Sequence, residues 1–162
     1  MNIKTGKKFV REKNYLEAEK IFLNLLKKDK DLMLVNYFLG IIYFELQNYK
    51  KSKFHYESSL KFNPNSKEIL INLAYLEQSY GNLEEAKDIY QKLLTLNPYY
   101  IETYYRIYLL NSDYLKEEYK SLFLEITNKE NITLHERALA NYLLSKIEKK
   151  RNEYESEIDY LK

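Results

Sequence analysis

Apolar and polar positions alternate at helical spacing through most of this chain. Leu34, Tyr37, Phe38 and Ile41 stand at i, i+3, i+4 and i+7, which puts them on one stripe of a helix. Leu39, Gly40 and Tyr43 form a second apolar face on the same segment, so a helix from Leu32 to Phe44 is apolar almost all round. Gln47-Asn48 reads as a turn, and Tyr49, Ser52, Tyr56 and Leu60 mark one face of the helix that follows. Asn63-Pro64-Asn65-Ser66 ends the unit, because proline lacks an amide proton and restricts the residue before it. The pattern then starts again: Leu73 and Ala74, a turn at Gly81-Asn82, then Leu83, Ala86, Tyr90 and Leu94, and a stop at Asn97-Pro98. An earlier copy holds Gly6, Phe9, Asn14, Tyr15, Ala18, Phe22 and Leu26.

The copies share an exact register of 34 residues: Asn14, Asn48 and Asn82; Phe22, Tyr56 and Tyr90; Lys30, Pro64 and Pro98. A helix pair of that length cannot bury its apolar face alone and must stack on its neighbours. The predicted fold is therefore all-α, a right-handed superhelical solenoid of about four to five antiparallel helix pairs. Asn14 with Glu17 and Asn82 with Glu85 have the spacing of capping boxes at the start of second helices. Gly40, having no Cβ, admits close approach of a neighbouring helix.

After Tyr100 the register decays. Ile101 to Asn111 reads as a further first helix through Tyr104, Ile107 and Tyr108, and Asp113 to Asn128 as its partner, with Lys120 where a small packing residue is expected. Thr133 with Glu136 caps a fresh helix running to about Lys149, and Asn152 with Glu155 predicts a last one carrying Tyr154, Ile158 and Leu161. We expect one domain, 1–162, with repeats at about 1–32, 33–66 and 67–100, a degenerate unit at 101–131 and a partial or capping unit at 132–162. The chain is either closed by that short helix or a fragment of something longer.

The small residues Gly6, Gly40 and Ala74, the aromatics Phe22, Tyr56 and Tyr90, and the prolines Pro64 and Pro98 together resemble the tetratricopeptide repeat family over residues 1–100. Glu77 departs from it, standing where the family favours an aromatic, and Asn36, Leu70 and Tyr104 replace an early tryptophan. The resemblance implies that first helices line a concave groove, with binding residues Leu34, Tyr37, Phe38, Ile41, Asn72, Tyr75, Tyr105, Arg106 and Leu109, and charged ends at Glu45 and Glu68. Two readings of the apolar Leu32–Phe44 helix stand side by side: buried on every side, or the floor of an apolar groove that accepts a peptide or helix. One subset of the family clamps a C-terminal carboxylate with lysines, asparagines and an arginine. Asn72 and Arg106 fall at two of those positions, but Tyr37, Ile41 and Glu102 fill the others, and a glutamate repels a carboxylate, so a carboxylate clamp is not expected.

Composition narrows the function further. Twenty-six basic against 24 acidic residues leave a net charge of +2, which makes no electrostatic case for nucleic acid or an anionic membrane. With no cysteine there is no disulfide or thiolate metal site, and three isolated glycines cannot build a phosphate loop. The N-terminus lacks the apolar core of a signal peptide, and no apolar run is long enough for a bilayer, so the chain reads as cytoplasmic. The two histidines, His55 and His135, lie far apart, and the spacing puts His55 on the outer face beside Lys51 and Lys53. The 18 tyrosines suit a recognition surface, but AT-rich codon usage explains them as well. The expected function is a protein–protein interaction scaffold that binds a partner peptide or helix in the groove, with no cofactor, metal or catalysis of its own. The alternatives are an accessory, substrate-recruiting region of a larger enzyme such as a transferase, and a self-associating homo-oligomeric module.

Overall fold

The structure, a computed structural model, describes residues 2–160 of the chain, and their side chains up to Asn152. Helices α1 (Ile3–Arg11), α2 (Tyr15–Leu26), α3 (Leu32–Glu45), α4 (Tyr49–Leu60), α5 (Lys67–Tyr80), α6 (Leu83–Leu96), α7 (Ile101–Leu110), α8 (Lys120–Thr127) and α9 (Leu134–Tyr160) follow in chain order, with no strand among the described residues. The chain divides into two compact units, residues 1–89 and 90–162.

In the first unit consecutive helices pack against one another from α1 through α5. The turn that joins first to second helix is built three times in the same register. Asn14 N–H donates to Phe9 C=O, Asn48 N–H to Tyr43 C=O and Asn82 N–H to Glu77 C=O, at 2.9, 2.8 and 2.9 Å. The residues before those asparagines, Lys13, Gln47 and Gly81, all sit in the left-handed region at φ 57°, 58° and 93°. This is the Schellman motif, which returns two end-carbonyls to hydrogen bonding. Asn14 and Asn48 then turn their side chains forward and accept from Glu17 N–H and Lys51 N–H, capping α2 and α4. One asparagine thus closes one helix and opens the next, which is why asparagine recurs there.

Ridge-to-groove contact explains the small residues. A Cβ built on Gly40 would lie 2.4 Å from Tyr56 Cδ1, and one on Gly6 would lie 2.7 Å from Phe22 Cζ. Each glycine is therefore a seat for the ring 16 positions later. One core of this unit gathers Ala18, Ile21, Phe22, Leu25, Val35, Leu39, Ile42 and Tyr43, and a second gathers Tyr56, Ile69, Leu73 and Leu76.

In the second unit Ile101, Tyr104, Leu115, Phe123, Ile126, Ala140, Leu143 and Ile147 form the core. The expected helix over Asp113–Asn128 is not continuous. Two single 3₁₀ turns, Ser112–Tyr114 and Glu117–Tyr119, precede the short α8. Their irregular path buries Leu115 and brings Tyr119 within 5.2 Å of the Tyr104 ring, so packing overrides helix propensity. Lys120, out of place in a small-residue position, pairs instead with Glu148 of α9. Thr133 and Glu136 form the expected reciprocal box at the start of α9, at 3.0 Å from Thr133 N–H and 3.1 Å from Glu136 N–H. The break expected at Asn152 is absent: α9 runs unbroken to Tyr160. No glycine or proline interrupts it, and a cap-like spacing inside strong helix formers does not stop a helix. The side chains of Tyr154, Ile158 and Leu161 lie outside those described.

Candidate functional site

In the first unit α3 and α5 line a concavity of about 320 Å³, bordered by Tyr37, Ile41, Phe44, Glu45, Tyr56, Asn72 and Tyr75. Helical spacing explains the set. Tyr37, Ile41, Phe44 and Glu45 lie on one face of α3, and Asn72 and Tyr75 on one face of α5. Four of the predicted groove residues, Tyr37, Ile41, Asn72 and Tyr75, therefore meet at one site. Tyr56 joins them from α4: its ring fills the space over Gly40 and also borders the groove. The helix Leu32–Glu45 is thus neither buried on every side nor fully open, since Leu34, Tyr37, Phe38 and Ile41 are half-buried and Met33 is exposed, while Val35, Leu39, Ile42 and Tyr43 are core.

Polar atoms in the site are few and placed. Asn72 Nδ2 donates to Tyr37 Oη at 3.0 Å, tying α5 to α3 across the floor. Burial is the main reason the Tyr37 hydroxyl titrates above its ordinary value, with the Glu68 carboxylate adding to it and the Asn72 bond opposing it. Tyr75 is 45% exposed and packs its ring 5.4 Å from Phe44, which sits 5.8 Å from Tyr49. Glu45 is exposed at the rim.

The other predicted residues fall elsewhere. Phe38 turns toward the first repeat, stacked on Phe22 at 5.1 Å with the Lys7 ammonium 5.2 Å from its ring. Leu34 is half-buried and borders no part of the concavity. In the second unit Tyr105 lies edge-on to Tyr142 of α9, with ring centres 5.7 Å apart, and Arg106 pairs with Glu102 at 3.2 Å. Leu109 is 51% exposed.

His55 corrects the sequence reading. It is buried, not on the outer face, because it shares a stripe with Ser52, Tyr56 and Ser59 that faces α3. Its Nδ1 donates to Asn36 Oδ1 at 2.8 Å and its ring stacks on Tyr43 at 5.3 Å. Burial, then the nearby Lys51, holds the imidazole below its usual pKa, so it stays neutral.

Lys53 likewise is not part of a solvated basic surface. Its ammonium lies 2.9 Å from Glu77 Oε1, off the hydrogen-bonding direction, and 2.7 Å from Glu85 Oε1. Partial burial works against its charge, but the two carboxylates outweigh it and raise the pKa well above the ordinary lysine value. Asn82 Nδ2 completes the cluster, donating to Glu77 Oε2 at 2.7 Å. The side chains expected to form a capping box at Asn82 and Glu85 are thus turned to Glu77 and Lys53. Glu77 and Lys53 repeat, one unit on, a contact between Tyr43 and Glu19, where Tyr43 Oη donates to Glu19 Oε1 at 2.6 Å. Burial, then that bond, pushes the Tyr43 hydroxyl up to about 12. The only hint of this in the sequence is that Glu77 replaces an aromatic in register with Tyr43.

Among the described residues, no three His, Cys, Asp or Glu side chains gather as a metal site, and no helix is long and apolar enough to cross a membrane.

The tetratricopeptide repeat pattern matches residues 34–66, and a second form of it matches residues 67–100. The uncharacterized protein ycf37 of Pyropia yezoensis is 38% identical over 87 residues, which cover 52% of this chain and 45% of that protein. Its counterpart in Guillardia theta is 34% identical over 74 residues, covering 44% of this chain and 42% of that protein. The chain therefore spans less than half the length of these curated relatives. Among solved structures, MamA is similar at a TM-score of 0.63 and 16% identity, over 96% of this chain and 98% of that one. A MamA RS-1 ArsTM double mutant gives the same score and identity over 94% of this chain and 75% of that one. At that identity the likeness shows the fold alone. The chain thus carries two tetratricopeptide repeats over residues 34–100, with a third copy in exact register before them and the same turn built three times.

Proposed function

We propose that this protein is an interaction scaffold whose first unit holds a segment of a partner protein in the concavity between α3 and α5. The observation that carries this is the meeting of Tyr37, Ile41, Asn72 and Tyr75 around about 320 Å³ of open space. Apolar and aromatic walls with a few fixed polar atoms are what a peptide side chain needs for burial and orientation. The half-exposed Tyr75 is a suitable anchor, since tyrosine is enriched where interfaces concentrate their binding energy. Tyr105, Arg106 and Leu109 of α7 make a second, smaller patch in the same reading. The scaffold works by binding, without chemistry of its own.

The test is site-specific photocrosslinking. A benzoylphenylalanine at Tyr75 is compared in native lysate with one at the exposed Phe54 of α4. Capture of a partner through position 75, lost when Ile41→Arg fills the concavity, supports the reading. Capture through position 54 that survives Ile41→Arg moves the binding surface to the second helices and overturns it.

A further inference from the structure

The groove's walls carry a chemical bias that its shape alone does not set. Tyr37, Phe44, Tyr56 and Tyr75 supply four aromatic rings around one opening. Their faces are regions of negative electrostatic potential. The single charged side chain on the lining is the Glu45 carboxylate at the rim, and no lysine or arginine borders the concavity. Glu68 of α5 adds a second negative charge within electrostatic range of the Tyr37 hydroxyl. The Lys7 ammonium lies over Phe38, which borders no part of the opening. The Glu45 carboxylate is near enough to Tyr15 to help raise that hydroxyl's pKa, after burial. The concavity is at the small end of the range for ligand sites, room for a single long side chain with its flanking backbone.

We propose that this site selects a cationic side chain, an arginine or lysine of the partner peptide, sandwiched by Tyr37 and Tyr75 and ion-paired to Glu45. The inference rests on the groove being the binding surface. Its chemistry is opposite to that of a carboxylate clamp: an acidic peptide would meet the Glu45 carboxylate on a lining that carries no lysine or arginine. A neutral apolar side chain would fill the space but make no use of the carboxylate at the rim. Asn72 is committed to Tyr37, so it fixes the ring that stacks on the guanidinium or ammonium group. Arginine fits better than lysine, because its planar guanidinium stacks on a ring and still reaches a carboxylate at its edge.

The experiment uses the full chain and an oriented library of amidated, N-acetylated dodecapeptides with one fixed central residue. Bound peptides are read by sequencing, and individual affinities by fluorescence anisotropy. Enrichment of arginine and lysine at one position supports the proposal. For the best arginine peptide, replacing that arginine by citrulline, which keeps the shape and removes the charge, should weaken binding roughly tenfold. Glu45→Gln should weaken it by a similar factor, roughly tenfold, while leaving the citrulline peptide unaffected. Glu45 is exposed, so that variant keeps the fold, and an unchanged far-UV spectrum verifies it. Glu45→Arg should move the library preference toward acidic residues. Peptides that bind with no charge preference, or an acidic preference in the wild type, overturn this inference and leave the groove as a binding surface. A library from which nothing binds, alongside partner capture through position 54, overturns the groove reading itself.

Discussion

Removing Lys53 should do far more harm than removing an ordinary surface lysine. Glu77 has an exposure of 0%, and Lys53 is the cation beside it. Its Oε2 is satisfied by Asn82, but Oε1 has only the ammonium 2.9 Å away. Lys53→Met keeps the aliphatic stem and deletes the charge, leaving an ionised carboxylate in the interior with one amide partner. Breaking a fully buried pair this way costs about 3–5 kcal/mol. The Lys53 side chain is itself 32% exposed, so water offsets part of the loss, and we expect about 2–3 kcal/mol. Removing both ends is different. Lys53→Met with Glu77→Leu leaves no orphaned charge and fills the same volume with apolar groups, so the double variant should lie within about 1 kcal/mol of wild type. Urea unfolding followed by circular dichroism at neutral pH measures all four proteins of the cycle. The four midpoints need a common m-value for the comparison to hold. A coupling energy of about 2 kcal/mol between the two sites is the expected result. If Lys53→Met costs no more than Lys61→Met on the open surface, the carboxylate is not held as described and the reasoning fails.

Gly40→Ala should destabilise by about 1–2 kcal/mol despite alanine's better helix propensity, because the new methyl meets the buried Tyr56 ring 2.4 Å away; thermal unfolding checks it. Gln47→Gly should stabilise by a few tenths to about 1 kcal/mol, since it relieves a left-handed backbone that Gly81 already occupies freely, and Gly81→Ala should cost about 1 kcal/mol in the same urea assay. His55 makes stability depend on pH: its folded pKa is depressed, so the unfolded chain binds the proton more readily, and stability present above pH of about 6.5 falls as pH drops through and below that value. His55→Gln should flatten the urea midpoint between pH 7.5 and 5; Glu85, held low chiefly by its bond to Lys53, acts only below the ordinary carboxylate range.

What could be read from the sequence was whatever depends on spacing along one helix. The apolar stripe of α3 carried Tyr37 and Ile41, the resemblance to tetratricopeptide repeats implied Asn72 and Tyr75 beside them, and the recurring asparagines marked the turns. Gly81 signalled a left-handed residue, but Lys13 and Gln47 gave no such sign, because tertiary packing imposes a conformation their side chains do not favour. Contacts between different helices were hidden for a related reason. His55 looks solvated beside two lysines until Asn36 and Tyr43 of α3 are seen beneath it. Phe44 and Tyr56, absent from the expected groove residues, both border the groove, since a large ring can cover a core and still reach an opening. Beyond Tyr100 the register decayed because the second unit buries its aromatics through 3₁₀ turns and a long α9, so a repeat template had nothing periodic to follow.

The matched contacts Glu19–Tyr43 and Lys53–Glu77 also bear on how the groove is kept in order. A stack of near-identical repeats has alternative pairings of similar backbone geometry, and only side chains distinguish them. In the first junction the earlier helix offers a carboxylate and the later one a hydroxyl donor. In the second the earlier helix offers an ammonium and the later one a carboxylate. If α5 packed on α2 in place of α3, Glu77 would face Glu19, two carboxylates in one buried position with no cation between them. If a second α3 packed on α4, the Tyr43 hydroxyl would face an ammonium that needs an anion. The first of these leaves the buried Glu77 charge without a cation, which is among the larger penalties a core can carry. The observed order satisfies both junctions, and it places α3 beside α5. Tyr37 and Asn72 then lie within hydrogen-bonding reach, and the aromatic walls close around the same opening. The glutamate that breaks the aromatic pattern at position 77 thus serves the groove without touching it, by fixing which repeat stands next to which.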